Sequence, residues 1–532
     1  MMDFLRKIKK GLVRPLSLFT FSCVVSIATL LLYNIPFFNY VACNSNESLG
    51  GQIFLIASLV VIMLVLNFMM TYLVMFLTRV VGRILLAVLS IINATAVYFI
   101  ITYSVIIDST TIENVFNTRY SEASGFFSWS LWLFIFAVGV LPALYCLFQP
   151  IVYGKAKKLL ICCASSLTIA LVIALANIGQ TLWISQHDTE IGGLLQPWSY
   201  LVNTCRVISL SQDEQAEEIK LPDGRITDNE KAVVVLVIGE SARKANFQLY
   251  GYQRDTNPLL SKQKELKVYQ ATSCATYTTA GTKAILEPMD SGDLNELLPN
   301  YAFRTGADVS WRTSNWGEPP IHIDEYLTDS ELADMYPDES ADYDGILIKG
   351  LRERIESSPK NKVLIVLHTS TSHGPKYASK YPKAFEVYKP VAQNVEESEK
   401  NVGKLVNAYD NTIRYTDFLL DSLINTLRSM TEWHSAMIFI SDHGESLGEN
   451  NIFMHGLPKK LAPKVQYEIP FLVWTSKGFR DYKPVSKKQE AAEGELPAVL
   501  EQHYIFHSVL NLLSIQSPAY NKDFDIFQVK GK

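Results

Sequence analysis

Ser441-Asp442-His443-Gly444-Glu445 follows directly on the apolar run 436–440, so an acid and an imidazole stand side by side at the end of what reads as a buried strand. That pair can offer one hard oxygen and one ring nitrogen to a Zn²⁺-type ion, while Gly444 lets the chain turn away. A second apolar run, 233–239, stops at Glu240-Ser241-Ala242-Arg243 and would bring a second carboxylate. A third, 363–367, ends at His368 with His373 just beyond, and His455 follows within the segment 450–456. A lone Asp-His pair more often caps a turn than binds metal, and a lone His near a strand end is more often hydrogen-bonded structure than ligand. Four of the nine histidines and two acids at one sheet edge read instead as a metal site.

A metal site needs a group to activate. Ser273-Cys274-Ala275-Thr276-Tyr277-Thr278-Thr279-Ala280-Gly281-Thr282 supplies a dense hydroxyl cluster ahead of a helix expected at 283–286. A hydroxyl at a helix amino terminus beside a divalent cation can attack phosphorus without a neighbouring general base. The same cluster also reads as an N-cap and turn.

The elements that must position these groups divide the chain in two. At 532 residues it exceeds one ordinary domain, and 48% hydrophobic residues is high for a soluble protein. The apolar excess is concentrated in five stretches free of Asp, Glu, Lys and Arg: 16–38, 53–77, 84–107, 126–148 and 159–183. Arg6, Lys7, Lys9, Lys10, Arg14, Arg79, Arg83, Lys155, Lys157 and Lys158 flank these spans on one side, whereas the opposite loops carry only Arg119. The amino terminus is therefore expected to be cytoplasmic and everything after the fifth span extracytoplasmic. A removable signal peptide does not fit four further spans. A net charge of −5 without a basic stripe argues against a nucleic-acid partner. Of seven cysteines only Cys43, Cys205 and Cys274 should face the oxidising side, so at most one internal disulfide can form among them.

A connector expected to lie along the membrane surface fills 184–228, and Lys487 to Glu495 reads as a solvated loop. From Lys231 onward the pattern is α/β, with strands expected at 232–239, 363–367, 436–441 and 471–474. Leu405, Tyr409, Ile413, Leu420, Leu423 and Leu427 share one face of an amphipathic helix. Short parallel strands alternating with helices imply a doubly wound sheet whose ligands sit beyond the strand carboxyl ends.

The motifs resemble one family, the membrane phosphoethanolamine transferases that decorate lipopolysaccharide, within the alkaline phosphatase and sulfatase superfamily. Gly239-Glu240-Ser241-Ala242-Arg243, Tyr250-Gly251-Tyr252-Gln253-Arg254-Asp255-Thr256-Asn257-Pro258, Ser273-Cys274 with its threonines, His368 to Pro375, Tyr409-Asp410-Asn411-Thr412 and Ser441 to Ser446 occur in the family's order. The resemblance implies a five-span helical membrane domain (1–183), the connector (184–228) and a periplasmic alkaline-phosphatase-like domain (229–532), a sheet with helices on both faces. It further implies that Glu240, Thr278, Asp442 and His443 bind zinc, with Thr278 as nucleophile. His373 and His455, with His368 nearby, would contact the transferred phosphate or a second metal. Asn114, Thr118 and Glu122 would hold the ethanolamine head group.

The implied reaction takes phosphoethanolamine from phosphatidylethanolamine to lipopolysaccharide through a phospho-threonine, in the bacterial inner membrane and by a monomer. Two departures stand out. Ala284 occupies the position where well-studied members pair the cysteine equivalent to Cys274, and Arg312-Thr313-Ser314-Asn315-Trp316-Gly317-Glu318-Pro319-Pro320 replaces an Asn-rich segment with a lysine. The second departure resembles the subgroup acting on 3-deoxy-octulosonic acid (Kdo) of the inner core rather than on lipid A. The rival readings are another phospho-group transferase of the superfamily, such as a glycerol phosphate polymerase, and an inactive membrane scaffold.

Overall fold

The structure, a computed structural model, describes residues 14–45, 49–117, 123–177, 187–213, 218–289, 294–393, 401–450, 452–483 and 499–527. The segment 487–495 lies outside them. The chain forms two compact units, one of Met1–Phe116 with Phe127–Ser211, the other of Asn117–Phe126 with Gln212–Lys532.

The first unit is helical. Four helices are long and apolar enough to cross a bilayer, α3 (Leu49–Thr78), α4 (Val80–Tyr103), α6 (Trp129–Phe148) and α7 (Ala156–Ala176). A fifth span is formed only if α1 (Leu18–Tyr33) and α2 (Ile35–Asn44), bent by 59° at Asn34, are counted together. The expected first span of 16–38 falls on this bent pair, which runs on to Asn44. Pro36 at the start of α2 removes a backbone donor, and the opening is closed by side-chain bonds. Asn34 Nδ2 donates to Gln196 O at 3.0 Å and to Thr29 O at 3.1 Å, while Gln196 N donates to Asn34 Oδ1 at 2.9 Å. Between α4 and α6 lies a short helix, α5 (Ser109–Asn117). Past α7, the helix α8 (Trp198–Asp213) ties to the spans through Trp198 Nε1 on Asn67 Oδ1 (3.1 Å) and Tyr200 OH on Asn93 Oδ1 (3.0 Å).

In the second unit ten strands matter: β1 (Ala232–Gly239), β2 (Leu266–Thr272), β3 (Asp308–Thr313), β4 (Glu325–Thr328), β5 (Lys362–His368), β6 (His434–Ser441), β7 (Ser446–Glu449), β8 (Ile452–Met454), β9 (Glu468–Thr475) and β10 (Leu500–Glu501). Eight of them form one sheet in the order β10-β2-β9-β6-β1-β5-β3-β4, and β7 with β8 make a separate hairpin. β1 is buried along its whole length, as a near-continuous apolar run between two parallel neighbours requires. Val234, Leu236 and Ile238 enter one core with Ile285, Leu298, Tyr301, Phe506 and Val509. Val233, Val235 and Val237 enter the other with Leu405, Tyr409, Leu420 and Leu423. Helices α9 (Thr278–Leu286), α10 (Leu298–Thr305) and α12 (Tyr504–Leu512) cover the first face, and α11 (Val402–Ser429) covers the second.

The sheet is mixed rather than all parallel. β9 runs antiparallel to both β6 and β2, because the chain returns from β6 through the β7–β8 hairpin instead of a crossover helix. In the parallel centre the register sets Gly239 opposite Ser441 and Ile238 opposite His368. The three strands therefore release Glu240, His368 and Asp442 at one level of one edge.

α11 also fixes the loop after β1. Tyr409 OH donates to Ser241 O at 2.7 Å and accepts from Arg243 N at 2.9 Å. Asp410 accepts from Asn246 Nδ2 (2.5 Å), Tyr252 OH (2.9 Å) and Arg254 Nη1 (2.8 Å), so the Tyr250–Pro258 motif is scaffolding for the strand end. Tyr409→Phe leaves two buried backbone groups without their partner, and thermal unfolding should show a loss of about 1–3 kcal/mol.

Candidate active site

Helix α9 begins at Thr278, so the hydroxyl sits in its first turn, where unpaired backbone N–H groups and the helix dipole favour negative charge. The helix comes this close because residue 281 is glycine: a Cβ there would strike the Asp442 carbonyl. Thr278 Oγ1 lies 3.2 Å from Glu240 Oε2 and 3.3 Å from His443 Nε2. His443 Nε2 is 3.4 Å from both Glu240 Oε1 and Asp442 Oδ2. The ligating atoms of Glu240, Asp442 and His443 all lie within 4.8 Å of one another.

Each group is aimed by a bond to its other side. Ser241, at a left-handed φ of 52°, donates from Oγ to Glu240 Oε1 at 2.7 Å and from N to Asp442 Oδ1 at 3.0 Å. His443 N donates to the same Asp442 oxygen at 2.6 Å. His443 Nδ1 meets Gly444 O at 2.8 Å, which places its hydrogen there and leaves the Nε2 lone pair for a ligand.

The electrostatics point the same way. Burial opposes a charge on Glu240, but the imidazoles of His373, His443 and His455 outweigh it and hold this carboxyl below its ordinary range. Burial and the facing Glu240 carboxylate push Asp442 well above its ordinary value. Burial, with His455 alongside, lowers His443 to about 3, so its ring is neutral at physiological pH. Two carboxylates this close in a dry site cannot both ionise unaided. A divalent cation removes that conflict, and Asp442 Oδ2, buried without a hydrogen-bond partner, is the oxygen left to receive it. Two carboxylate oxygens, one imidazole nitrogen and a hydroxyl form a donor set suited to zinc.

His373 and His455 form a second possible cation group with Glu240. The His455 ring stacks obliquely over His443 with centroids 4.2 Å apart, and its Nδ1 is 3.2 Å from Glu445 Oε2. His368 stands further back: its Nδ1 is 2.8 Å from Glu318 Oε1 and its Nε2 is 3.1 Å from Asn315 Nδ2. Asn114 lies half-buried on α5 of the helical unit, while Thr118 and Glu122 are outside the described residues. No disulfide forms among the described residues. Sequence reasoning gave Ser241, Asn315, Glu318 and Glu445 no role, although all four lie inside segments it singled out. Glu445 is fully buried, and its Oε1 has no hydrogen-bond partner.

A mixed α/β sheet with acids and imidazoles at parallel strand ends and a hydroxyl at a facing helix terminus defines the sulfatase class, and the sulfatase family model matches residues 232–515. The model for phosphoethanolamine transferase EptA/EptB matches residues 63–211. The chain is 37% identical to phosphoethanolamine transferase EptA of Helicobacter pylori, over 97% of this chain and 98% of that protein. It is 26% identical to the Kdo(2)-lipid A phosphoethanolamine 7''-transferase of Escherichia coli K12, over 54% of this chain and 52% of that one. Among solved structures, the integral membrane lipooligosaccharide phosphoethanolamine transferase A of Neisseria meningitidis superposes with a TM-score of 0.84 at 25% identity, covering 96% of this chain and 99% of that chain. The chain belongs to the phosphoethanolamine transferases of the sulfatase superfamily. It is a multi-pass membrane enzyme.

Stripping divalent cations from the purified full-length protein should lower its melting temperature, and zinc should restore it. Free ion at about a thousand times the dissociation constant would contribute about 4 kcal/mol. Asp442→Asn should abolish that cation-dependent shift.

Proposed function

We propose that this enzyme carries phosphoethanolamine from phosphatidylethanolamine to lipopolysaccharide, using Thr278 as the nucleophile and zinc held by Glu240, Asp442, His443 and Thr278. The observation that carries this reading is the convergence of Thr278 Oγ1 on Glu240 Oε2 (3.2 Å) and His443 Nε2 (3.3 Å) at the first residue of a helix. Zinc bound there supplies a Lewis acid that favours the ionised Thr278 oxygen and offsets charge on the phosphoryl oxygens.

Thr278 Oγ1 forms a bond to phosphorus as the bond from phosphorus to the glycerol oxygen breaks, and diacylglycerol leaves with a proton. An oxygen of lipopolysaccharide then attacks the phospho-threonine, and Thr278 is released. His373 and His455 are available to bind the phosphoryl oxygens or, with Glu240, a second ion. Asn114, Thr118 and Glu122 are assigned to the ethanolamine head group, where the Glu122 carboxylate suits the ammonium.

The whole-length match to an EptA, against half-length coverage by the Kdo-acting enzyme, supports an EptA-type acceptor over the Kdo position. The basic residues flanking the spans support a cytoplasmic amino terminus in the inner membrane and a catalytic domain in the periplasm. Both substrates are lipids, so a tethered monomer with a membrane domain (1–183), a surface connector (184–228) and a catalytic domain (229–532) needs to sample only the bilayer surface.

Detergent-purified enzyme incubated with a fluorescent phosphatidylethanolamine should release fluorescent diacylglycerol. Thr278→Ala should lower that release by at least about 10³-fold. Equal release from both proteins would exclude Thr278 as the nucleophile.

A further inference from the structure

Glu318 has no part in the reaction as derived, yet it stands behind the site with its side chain only 9% exposed. Its Oε1 is 2.8 Å from His368 Nδ1 and accepts from Thr313 Oγ1 at 2.5 Å. His368 is itself completely buried, and its Nε2 is 3.1 Å from Asn315 Nδ2. Asn315 Nδ2 donates in turn to Glu240 Oε2 at 2.7 Å and to Thr369 O at 2.9 Å. Asn315 Oδ1 faces the other way and accepts from Trp316 N at 2.9 Å. An unbroken line of polar contacts therefore runs from Glu318 through His368 and Asn315 to Glu240.

Two of the atoms that the Asn315 amide meets, Glu240 Oε2 and Thr369 O, can only accept, so its NH₂ faces them. A carboxylate can only accept, so the imidazole hydrogen of His368 sits on Nδ1. Burial opposes the charge on Glu318, but His368 beside it and the Thr313 hydroxyl hold its carboxyl at about 2, so it remains an acceptor at neutral pH. With Nδ1 protonated, Nε2 turns a lone pair toward Asn315 Nδ2 at 3.1 Å, beside the two bonds that the NH₂ donates to Glu240 Oε2 and Thr369 O. The bonds that hold the amide turn its NH₂ to Glu240 and its carbonyl to Trp316 N, and the Nδ1–H tautomer of His368 is the one that agrees with them. In the other tautomer, a hydrogen on Nε2 would oppose the Asn315 NH₂. The amide would then relieve the clash by turning its oxygen toward His368 and Glu240, setting oxygen against carboxylate. The backbone supports the same orientation, since Thr313 Oγ1 also accepts from Asn315 N at 3.0 Å.

We propose that Glu318 is a positioning residue that acts through the tautomer of His368 and the amide of Asn315 to fix how Glu240 is presented to the cation. This rests on the reading of Glu240 as a zinc ligand.

The test is the zinc affinity of detergent-purified full-length protein, measured by competition with a chromophoric chelator and paired with the melting temperature of each variant. Glu318→Ala should weaken zinc binding by about 10- to 100-fold, the usual effect of losing a partner behind a metal ligand. Glu318→Gln, whose carbonyl can still accept from Nδ1, should stay within about threefold of wild type. The decisive comparison is in an Asn315→Ala background, where Glu318→Ala should cost little more, because the route to Glu240 is already cut. Equal losses in both backgrounds would make Glu318 a general stabiliser, and unchanged affinity in Glu318→Ala would remove the device altogether. If Glu318→Ala does not fold, Glu318→Asp carries the same comparison in the two backgrounds. Glu240→Gln separates this idea from its premise. If that variant binds zinc as tightly as wild type, Glu240 is not a ligand and the underlying reading fails; if it weakens binding while Glu318→Ala does not, only the positioning role fails.

Discussion

Two carboxylates, Glu240 and Asp442, are buried at neighbouring strand ends without enough counter-charge of their own, and this conflict organises the catalytic unit. The parallel pairing of β1 and β6 forces them together, because Gly239 and Ser441 are opposite each other in register. Burial and the facing Glu240 carboxylate oppose the charge on Asp442 and push its carboxyl well above its ordinary value. A cation held between the two acids would offset that cost, and Asp442 Oδ2, buried without a hydrogen-bond partner, is free to face it.

Much of the surrounding structure acts to keep this conflict in place. Tyr409 and Asp410 of α11 clamp the loop after β1 from one face of the sheet. On the other face, Gly281 lets α9 press onto the Asp442 backbone and delivers Thr278 to the same point. The hairpin β7–β8 returns the chain so that His455 lies over His443. Each of these contacts links a distant stretch of sequence to the strand-end acids, and none makes chemistry by itself. The helical unit meets a different requirement. Its apolar helices suit a bilayer, and at the break the Asn34 side chain bonds Thr29 O and both backbone groups of Gln196.

The central strands were legible because a strand buried on both faces must be apolar throughout, as Ala232–Gly239 is. Their carboxyl ends then named Glu240, His368, Asp442 and His443, and the structure gathers Glu240, Asp442, His443 and Thr278 within contact distance. The strands β2 and β3 carried no such signal. β2 is largely solvent-facing, and β3 hides Ser310 and Arg312 in the interior, with Arg312 Nη1 donating to Leu347 O and Lys349 O at 3.1 and 2.6 Å. Antiparallel β9 was misread as parallel because strand direction depends on the connection, not on composition. Glu318 was beyond reach for a similar reason: its meaning lies in a bond to His368, a contact that no local pattern in a loop encodes.

The most direct measurement is anomalous diffraction at the zinc edge from crystals of the full-length protein. The account predicts one strong peak bounded by Glu240, Asp442, His443 and the Thr278 hydroxyl. Zinc bound elsewhere with this site empty, in protein that still releases diacylglycerol, would contradict it.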